Sequence, residues 1–557
     1  MYATRSGPGT ITRAGLFAVW LCFVLRGCFY SASLPLWEGV DEYSHFAYLQ
    51  SLYARRTLPV RADGISRELE QSMALAPAPW GFRHNLPPQL PHDLWWRLPE
   101  QERRAREARI HAIPPAWAVQ RSSRFLPLYE AQQPPLAYVA LAPAYAALAR
   151  APLLARVWVL RFLCVLVASL SIPLVWRVAY EVLGDHRPAL GAAALLAVLP
   201  QFTMGAARIS NEGFATVAGA LLLLAAVRLV HTGPWLRQSL VLGGAAAVAL
   251  LTKAYFLAAL PAVAALFLGL AVSRKYPLRV VCASAATVAG VLVLVAGWCY
   301  YRNLTVFGTI SGEQTEAAAD SGSSVAGVVD AARRVPWSKA ATSAFHSHVW
   351  IGNWSFLSVR TWMYTVLAVG VLAAIAGLVL RMVRPRRSSP ESRPGLAVLA
   401  VFLAFLVGAL AWHALTIFRV VGVASTPGWY LYGFAAAEVV LLVAGLTALV
   451  PDRYATGVVA AAITCCAALD LFGMHVYLLP YYTGLIAHQT GGGLPGYHWF
   501  PWSTAALGRI TSRLAVNKPA WLGAHVMGGL WLGYVAGTLA LIAESLRGRT
   551  SEETRIW

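Results

Sequence analysis

The chain is poor in charge and poor in acid. Of its 557 residues only 13% are charged, and 25 acidic residues face 45 basic ones, while 58% are hydrophobic. With a mean hydropathy of +0.56, so little charge excludes a water-soluble multidomain protein. The seven cysteines contain no C-x-x-C and no metal-type pairing with histidine, so they read as small packing residues rather than a disulfide or zinc framework. No internal repeat argues for an inverted-repeat transporter. A net charge of +20 would suggest nucleic acid in a soluble domain. In a membrane protein it reads as cytoplasmic anchoring and contact with anionic lipid.

What is present is apolar runs. A span needs about 20 mostly apolar residues, and on that measure an all-α polytopic protein with about twelve spans is expected. They fall near 12–34, 155–181, 189–208, 213–231, 238–252, 255–272, 278–300, 361–382, 396–418, 430–450, 455–475 and 521–543. The first resembles a signal peptide, but Arg26 interrupts it and many spans follow, so it reads as an uncleaved helix. Arg5, Arg13, Arg187, Arg237, the Arg274, Lys275 and Arg279 group, the run RMVRPRRSSPESRPG, Arg453, Arg547 and Arg549 then share one side, which places both termini in the cytoplasm.

The chain divides accordingly into 1–34 (cytoplasmic end and first span), 35–154 (a long first outer loop), 155–300 (spans two to seven), 301–360 (outer loop), 361–475 (spans eight to eleven), 476–520 (outer loop) and 521–557 (last span and tail). Within the first loop, QQPPLAYVALAPAYAALARAP is apolar but too short to span and reads as a juxtamembrane helix. The part EQTEAAADSGSSVAGVVD of the second outer loop reads as flexible.

Asp41, Glu42 and His45 lie in WEGVDEYSHFAY, just past the first span. A helix starting after Val40 would put Asp41 and His45 on one face, with Phe46, Leu49, Leu52 and Tyr53 on the other. Under this topology Asn211, Glu212, Lys253, Arg302, Asn303, His346 and His348 share the same membrane face, which argues for one site. Each has a plainer reading. Glu212 is also a favourable charge at a helix N-terminus, Lys253 can bind phosphate or snorkel to the interface, and Arg302 can grip phosphate oxygens as a fork. His346 and His348 form an H-x-H pair if the chain is extended, but no third ligand is identifiable, and hydrogen bonding serves as well. A divalent metal is not indicated.

The run EGVDEYSHFAYLQSLYARRTLP resembles the first outer-loop motif of the GT-C superfamily of polyprenyl-phosphate-dependent membrane glycosyltransferases, near its protein O-mannosyltransferase-like branch. QQPPLAYVALAP, LPQFTMGAARISNEGFA, ALLTKAYFLAALP, AGWCYYRNLTVFG and HVWIGNW are similar to its other segments, in order, over about 35–435. The resemblance implies transfer of a sugar from a polyprenyl-phosphate donor to a glycan, lipid or protein acceptor on the outer face, with inversion. It implies Asp41 as base or orienting group supported by Glu42 and Glu212. Arg302 and Lys253 would stabilise phosphate, and His45, Gln133, Asn211, Asn303, His346 and His348 would bind substrate. Two departures stand out: relatives often carry Asp where this chain has Glu212, and Gly-Arg-Tyr where TPGWYLY has Trp429, so Arg302, Lys253 or Arg419 would have to compensate. A transporter or lipid-linked-sugar flippase would instead use ionisable residues in mid-span, with Arg26, Arg161 and Glu438 as candidates. A non-catalytic subunit with the same fold is the third reading.

Overall fold

The computed structural model describes residues 10–79, 90–122, 126–313, 324–383, 392–489, 493–494 and 504–553. Helix α1 (Thr10–Ser33) leads into a tight loop and α2 (Glu42–Arg55), followed by α3 (Arg67–Leu75), α4 (His92–Trp95), α5 (Glu100–His111) and α6 (Leu136–Ala147). The only strands among the described residues are β1 (Pro77–Ala78) and β2 (Leu90–Pro91), paired in parallel. The bundle continues with α7 (Leu153–Ser169), α8 (Ser171–Leu183), α9 (His186–Val198), α10 (Pro200–Ala206), α11 (Glu212–Thr232), α12 (Leu236–Thr252), α13 (Ala259–Ser273) and α14 (Leu278–Phe307). Then come α15 (Val325–Arg334), α16 (Trp337–Val349), α17 (Thr361–Val383), α18 (Ser392–Val421), α19 (Ala435–Ala448), α20 (Ala455–Phe472), α21 (Leu479–Tyr482), α22 (Thr504–Leu514) and α23 (Ala524–Glu553).

Among the described residues ten helices are long and apolar enough to cross a membrane, or eleven if a bent pair counts as one span. That is one or two fewer than the twelve expected. The bent pair is α9 and α10, angled by 65° where Pro200 breaks the hydrogen-bond ladder. The twelfth is α12, whose 17 residues reach only about 25 Å against a hydrocarbon core of about 30 Å. The juxtamembrane helix is present as α6, 12 residues long. The 301–360 loop is more ordered than its composition implies, since it holds α15 and α16; residues 314–323 of its low-complexity part lie outside the described residues. The 476–520 loop begins late, because α20 runs on through a π-helical turn, Gly473–Leu478, into α21.

Spans approach closely where side chains vanish. A β-carbon at Gly219 would lie 1.7 Å from the Gly433 carbonyl oxygen, and one at Gly377 would lie 2.0 Å from that of Gly445, as expected where packing rather than hydrophobic burial joins helices in lipid. Two apolar cores result. One lies among α8, α9, α11 and α19; the other, rich in Tyr and Trp (Tyr30, Trp37, Tyr48, Trp158, Trp350, Tyr481, Tyr534), lies under the first loop.

Two fully buried charge pairs lie at the first helix and its loop. Arg26 meets Asp470 at 2.9 Å, both fully buried, and Asp470 also accepts from Tyr30 Oη at 2.6 Å and Tyr534 Oη at 2.7 Å. Arg161 meets Glu42 at 2.5 Å, again with both side chains fully buried. Removing one partner of such a pair costs about 3–5 kcal/mol because it strands the other charge in a medium that cannot solvate it. Arg161→Met is therefore expected to lower the thermal unfolding midpoint in detergent strongly, and Arg161→Met combined with Glu42→Leu to recover part of the loss. An unchanged midpoint for Arg161→Met would show that this pair does not hold the loop.

Candidate active site

Asp41 is the residue immediately before α2, the position where an aspartate ordinarily adopts extended backbone and accepts a hydrogen bond from the helix. Here it sits in the left-handed region, φ 56° and ψ 12°, and its carboxylate makes no cap bond. That conformation costs a non-glycine residue on the order of 1 kcal/mol and persists only where the surroundings enforce it. Both flanks do so. On one side a β-carbon at Gly39 would lie 2.8 Å from Arg208 Cβ, so the glycine lets the loop close onto residue 208. On the other, Glu42 is gripped through both carboxylate oxygens by Arg161, at 2.7 and 2.5 Å, and accepts the Ile209 N–H at 3.0 Å. The Asp41 carboxylate is thus released from its own helix and left partly exposed.

Around it stand two cations and three further carboxylates. Burial pushes the Asp41 carboxyl up to about 6; the positive charges of Arg208 and Lys253 oppose the rise, and Glu313 and Glu212 add to it. Arg208 is 2% exposed, reaches Asn353 Oδ1 at 3.5 Å, and keeps a buried Nε with no hydrogen-bond partner among the described residues. Lys253 lies in extended backbone between α12 and a short 3-10 turn, paired with Glu212 and set 5.3 Å from the Tyr255 ring and 5.0 Å from the Tyr430 ring. Glu130 is 4% exposed, its N–H held by Ser44 Oγ at 3.0 Å, and its Oε2 has no hydrogen-bond partner among the described residues. Burial and then the charge of Asp41 push it up to about 8, against the pull of Lys253.

Several residues expected to meet do so. Asp41, Glu212 and Lys253 share this electrostatic neighbourhood, and Asn211 Nδ2 donates to Gln133 Oε1 at 3.2 Å. Others are placed elsewhere. Both carboxylate oxygens of Glu42 are taken by Arg161, so it holds the loop. His45 is buried against Tyr138, Nδ1 2.7 Å from the phenol oxygen; burial, then Lys253 and Arg208, keep it well below the usual imidazole range, hence neutral. It does not share a face with the Asp41 carboxylate, because residue 41 lies outside the helix.

Arg302 donates to the Pro59 carbonyl at 2.6 Å and lies over Phe307. The positive charges acting on Asp41 include those of Arg208 and Lys253. Asn303 is fully buried and donates to the carbonyls of Gln132 (3.1 Å) and Ser311 (3.2 Å), so it supports the backbone next to Gln133. His346 and His348 do not form an H-x-H pair, since both lie on α16, where i and i+2 diverge. The His346 ring stacks on Tyr364 at 3.9 Å, while His348 Nε2 lies 2.6 Å from Glu438 Oε1 and its Nδ1 3.2 Å from the Gly428 carbonyl. Burial pulls the His348 imidazole down, but Glu438 and these hydrogen bonds outweigh it and raise it.

Arg208 and Glu130 were not anticipated. The signal for Arg208 is an arginine three residues before Asn211 in the polar break AARISNEG; that for Glu130 is the lone carboxylate of PLYEAQQPP. The mid-span candidates for a transport path, Arg26, Arg161 and Glu438, are each engaged with a partner: Asp470, Glu42 and His348.

The fold and site define a polytopic helical membrane protein that gathers carboxylates and cations at one set of helix ends, a composition suited to a hydroxyl nucleophile and an oxyanion leaving group. Residues 138–301 match the family described as dolichyl-phosphate-mannose-protein mannosyltransferase. Among solved structures, ArnT from Cupriavidus metallidurans bound to undecaprenyl phosphate is similar at 14% identity, over 98% of this chain and 79% of that one, with a TM-score of 0.44. AglB from Archaeoglobus fulgidus, in complex with an inhibitory peptide and a dolichol-phosphate, is similar at 12% identity, over 90% and 65%, with a TM-score of 0.44. No curated protein matches the sequence.

The raised carboxyl of Glu130 carries a sign for stability. Between an unfolded value near 4.5 and about 8 in the fold, the native state holds a proton that the unfolded chain has released, so stability contributed by this group is present at low pH and lost as pH rises through that window. Glu130→Gln, which fixes the neutral form, is expected to raise the unfolding midpoint more at pH 8 than at pH 5. An equal effect at both would mean that Glu130 is ionised in the native protein throughout.

Proposed function

We propose that the protein transfers a sugar from a polyprenyl phosphate to an acceptor hydroxyl at the extracytoplasmic ends of its helices, with Asp41 as the base. The observation that carries this reading is the Asp41 carboxylate, which makes no cap bond among the described residues and is held in left-handed backbone within the field of Arg208 and Lys253. With its pKa near 6, Asp41 is mostly ionised at neutral pH and ready to accept a proton. The acceptor oxygen attacks the anomeric carbon as its proton passes to Asp41. The bond from that carbon to the phosphate oxygen breaks, and its electron pair stays on the phosphate.

Arg208 and Lys253 offset the charge that develops there. Arg208 has an unused buried N–H for an oxyanion, and Glu212 orients Lys253. Lys253 lies against Tyr430, beside Trp429, and so supplies a cation where relatives often carry arginine. Attack opposite the leaving phosphate inverts the anomeric centre. The donor's isoprenoid tail stays in lipid, so the site needs no soluble nucleotide sugar.

Chain direction supports an outer site. Asp41 follows the end of α1, Glu212 begins α11 and Lys253 follows α12, whereas Arg187, Arg237 and the Arg274 to Arg279 group lie at the opposite ends of their helices. Basic short loops are retained in the cytoplasm, which supports an outward-facing site. The pairing of the mid-span charges favours transfer over carriage. The replacement of arginine by Trp429 keeps a second reading, a non-catalytic subunit of the same fold.

Membranes containing Asp41→Asn, supplied with radiolabelled polyprenyl-phosphate sugars and membrane extract, are expected to lose transfer by about 10²–10⁴-fold while insertion is unchanged. Arg208→Ala is expected to lower kcat/KM for the donor by about tenfold or more, and Arg302→Ala to leave it near the wild-type value. Near-normal transfer by Asp41→Asn would remove the base, and no product from the wild type with any such donor would favour the subunit.

A further inference from the structure

A second concavity lies on the other flank of the first loop. It is a small cavity whose lining includes His92, Trp96, Tyr482, Arg513, Asn517 and Lys518. The elements that build it are tied together beneath it, since Glu38 accepts from His92 Nε2 at 2.9 Å and from Tyr482 Oη at 3.2 Å. Trp96 donates to the Tyr482 carbonyl at 2.8 Å and carries Arg513 at 4.8 Å and Arg103 at 5.5 Å from its ring centre. Gly484 permits this: at φ +68° it lies so close to Trp96 that a β-carbon would stand 2.3 Å from the indole.

Two polar side chains here are more than nine-tenths buried and under-used. Lys518, 4% exposed, donates to the Leu34 carbonyl at 2.6 Å and has no carboxylate within 4.0 Å among the described residues, although its ammonium has three N–H groups. Asn517, also 4% exposed, has an Oδ1 without a hydrogen-bond partner among the described residues. The acids nearby are engaged: Glu38 by His92, Glu107 by the Asn517 N–H at 3.1 Å, and Glu42 by Arg161. Arg103 and Arg509 add positive charge beside Arg513.

A buried lysine that has the Trp158 ring 4.6 Å away but no carboxylate within 4.0 Å among the described residues, an arginine at the rim and an amide oxygen without a partner among them together match an oxyanion whose carrier also presents a hydroxyl. We infer that this cavity binds a phosphate group borne by a hydroxylated carrier, a glycerol phosphate unit of a glycan or of a phospholipid headgroup, with Arg513 and Lys518 on the phosphate and Asn517 Oδ1 accepting from the adjacent hydroxyl. The site is separate from Asp41 and does not depend on the transfer chemistry. Burial, then Arg161, hold Lys518 well below the usual lysine range, so occupancy by an anion takes up protons.

The test is isothermal titration of the full-length protein in phosphatidylcholine nanodiscs with sn-glycerol 1-phosphate. Saturable binding is expected, weakened about tenfold or more by Arg513→Gln and abolished by Asn517→Asp, which keeps a residue tolerant of the left-handed backbone at φ 57° but adds a negative charge. Binding by Asp41→Asn equal to wild type, alongside its loss of transfer, separates this site from the active one. Competition when phosphatidylglycerol is added to the nanodiscs assigns the phosphate to a lipid headgroup; unchanged binding assigns it to a soluble or glycan-borne unit. No saturable binding by the wild type, equal binding by Asn517→Asp, or loss of binding in Asp41→Asn overturns the proposal. Should Arg513→Gln fail to fold, Asn517→Asp decides alone.

Discussion

The arrangement of the site depends on one guanidinium. Arg161 has five N–H groups and, in this fold, matching acceptors: both oxygens of Glu42 and the carbonyls of Ser31 (3.3 Å), Leu34 (2.9 Å) and Pro35 (2.8 Å). A fully buried charge is tolerable only when compensated this completely. The bonds satisfy the carbonyls left open where α1 ends and fix where α2 begins. The backbone between has little freedom, and Asp41 is driven into a conformation it would not choose.

A second buried carboxylate extends the same logic. Glu38 gathers His92, the Ser355 N–H at 3.0 Å and Tyr482, residues from three distant parts of the chain. Glu38 and Arg161 are thus satisfied by groups that hold the loop in place. Among the described residues Arg208 Nε and Glu130 Oε2 have no hydrogen-bond partner, and the Asp41 side chain makes no cap bond. An unmet hydrogen bond at a buried polar atom costs about 1–3 kcal/mol, and a ligand that supplies it recovers that energy. This division separates Glu42 from Asp41, adjacent carboxylates with opposite tasks.

Much of the fold was legible along the chain. Long apolar runs report spans directly, because lipid demands length and internal hydrogen bonding from each one by itself. The short α6 was legible for the same reason. The miscounts fall where a span is not an autonomous straight helix: α9 and α10 are bent at Pro200, and α12 stops short and relies on its neighbours. The helical part of the second outer loop was hidden by its small, polar composition, which gives no apolar period to read.

The sequence by itself determined that charge would collect at one set of helix ends, because ionisable groups are excluded from lipid and must cluster where the chain leaves it; Asp41, Glu212 and Lys253 follow from that. Only tertiary structure decided which of those groups are spent on each other. Arg161, inside an apolar run, is paired with Glu42, and Arg302 donates to the Pro59 carbonyl, partners that the order of residues does not reveal. Pairing is set by distances between segments hundreds of residues apart, and a one-dimensional pattern carries no such distances.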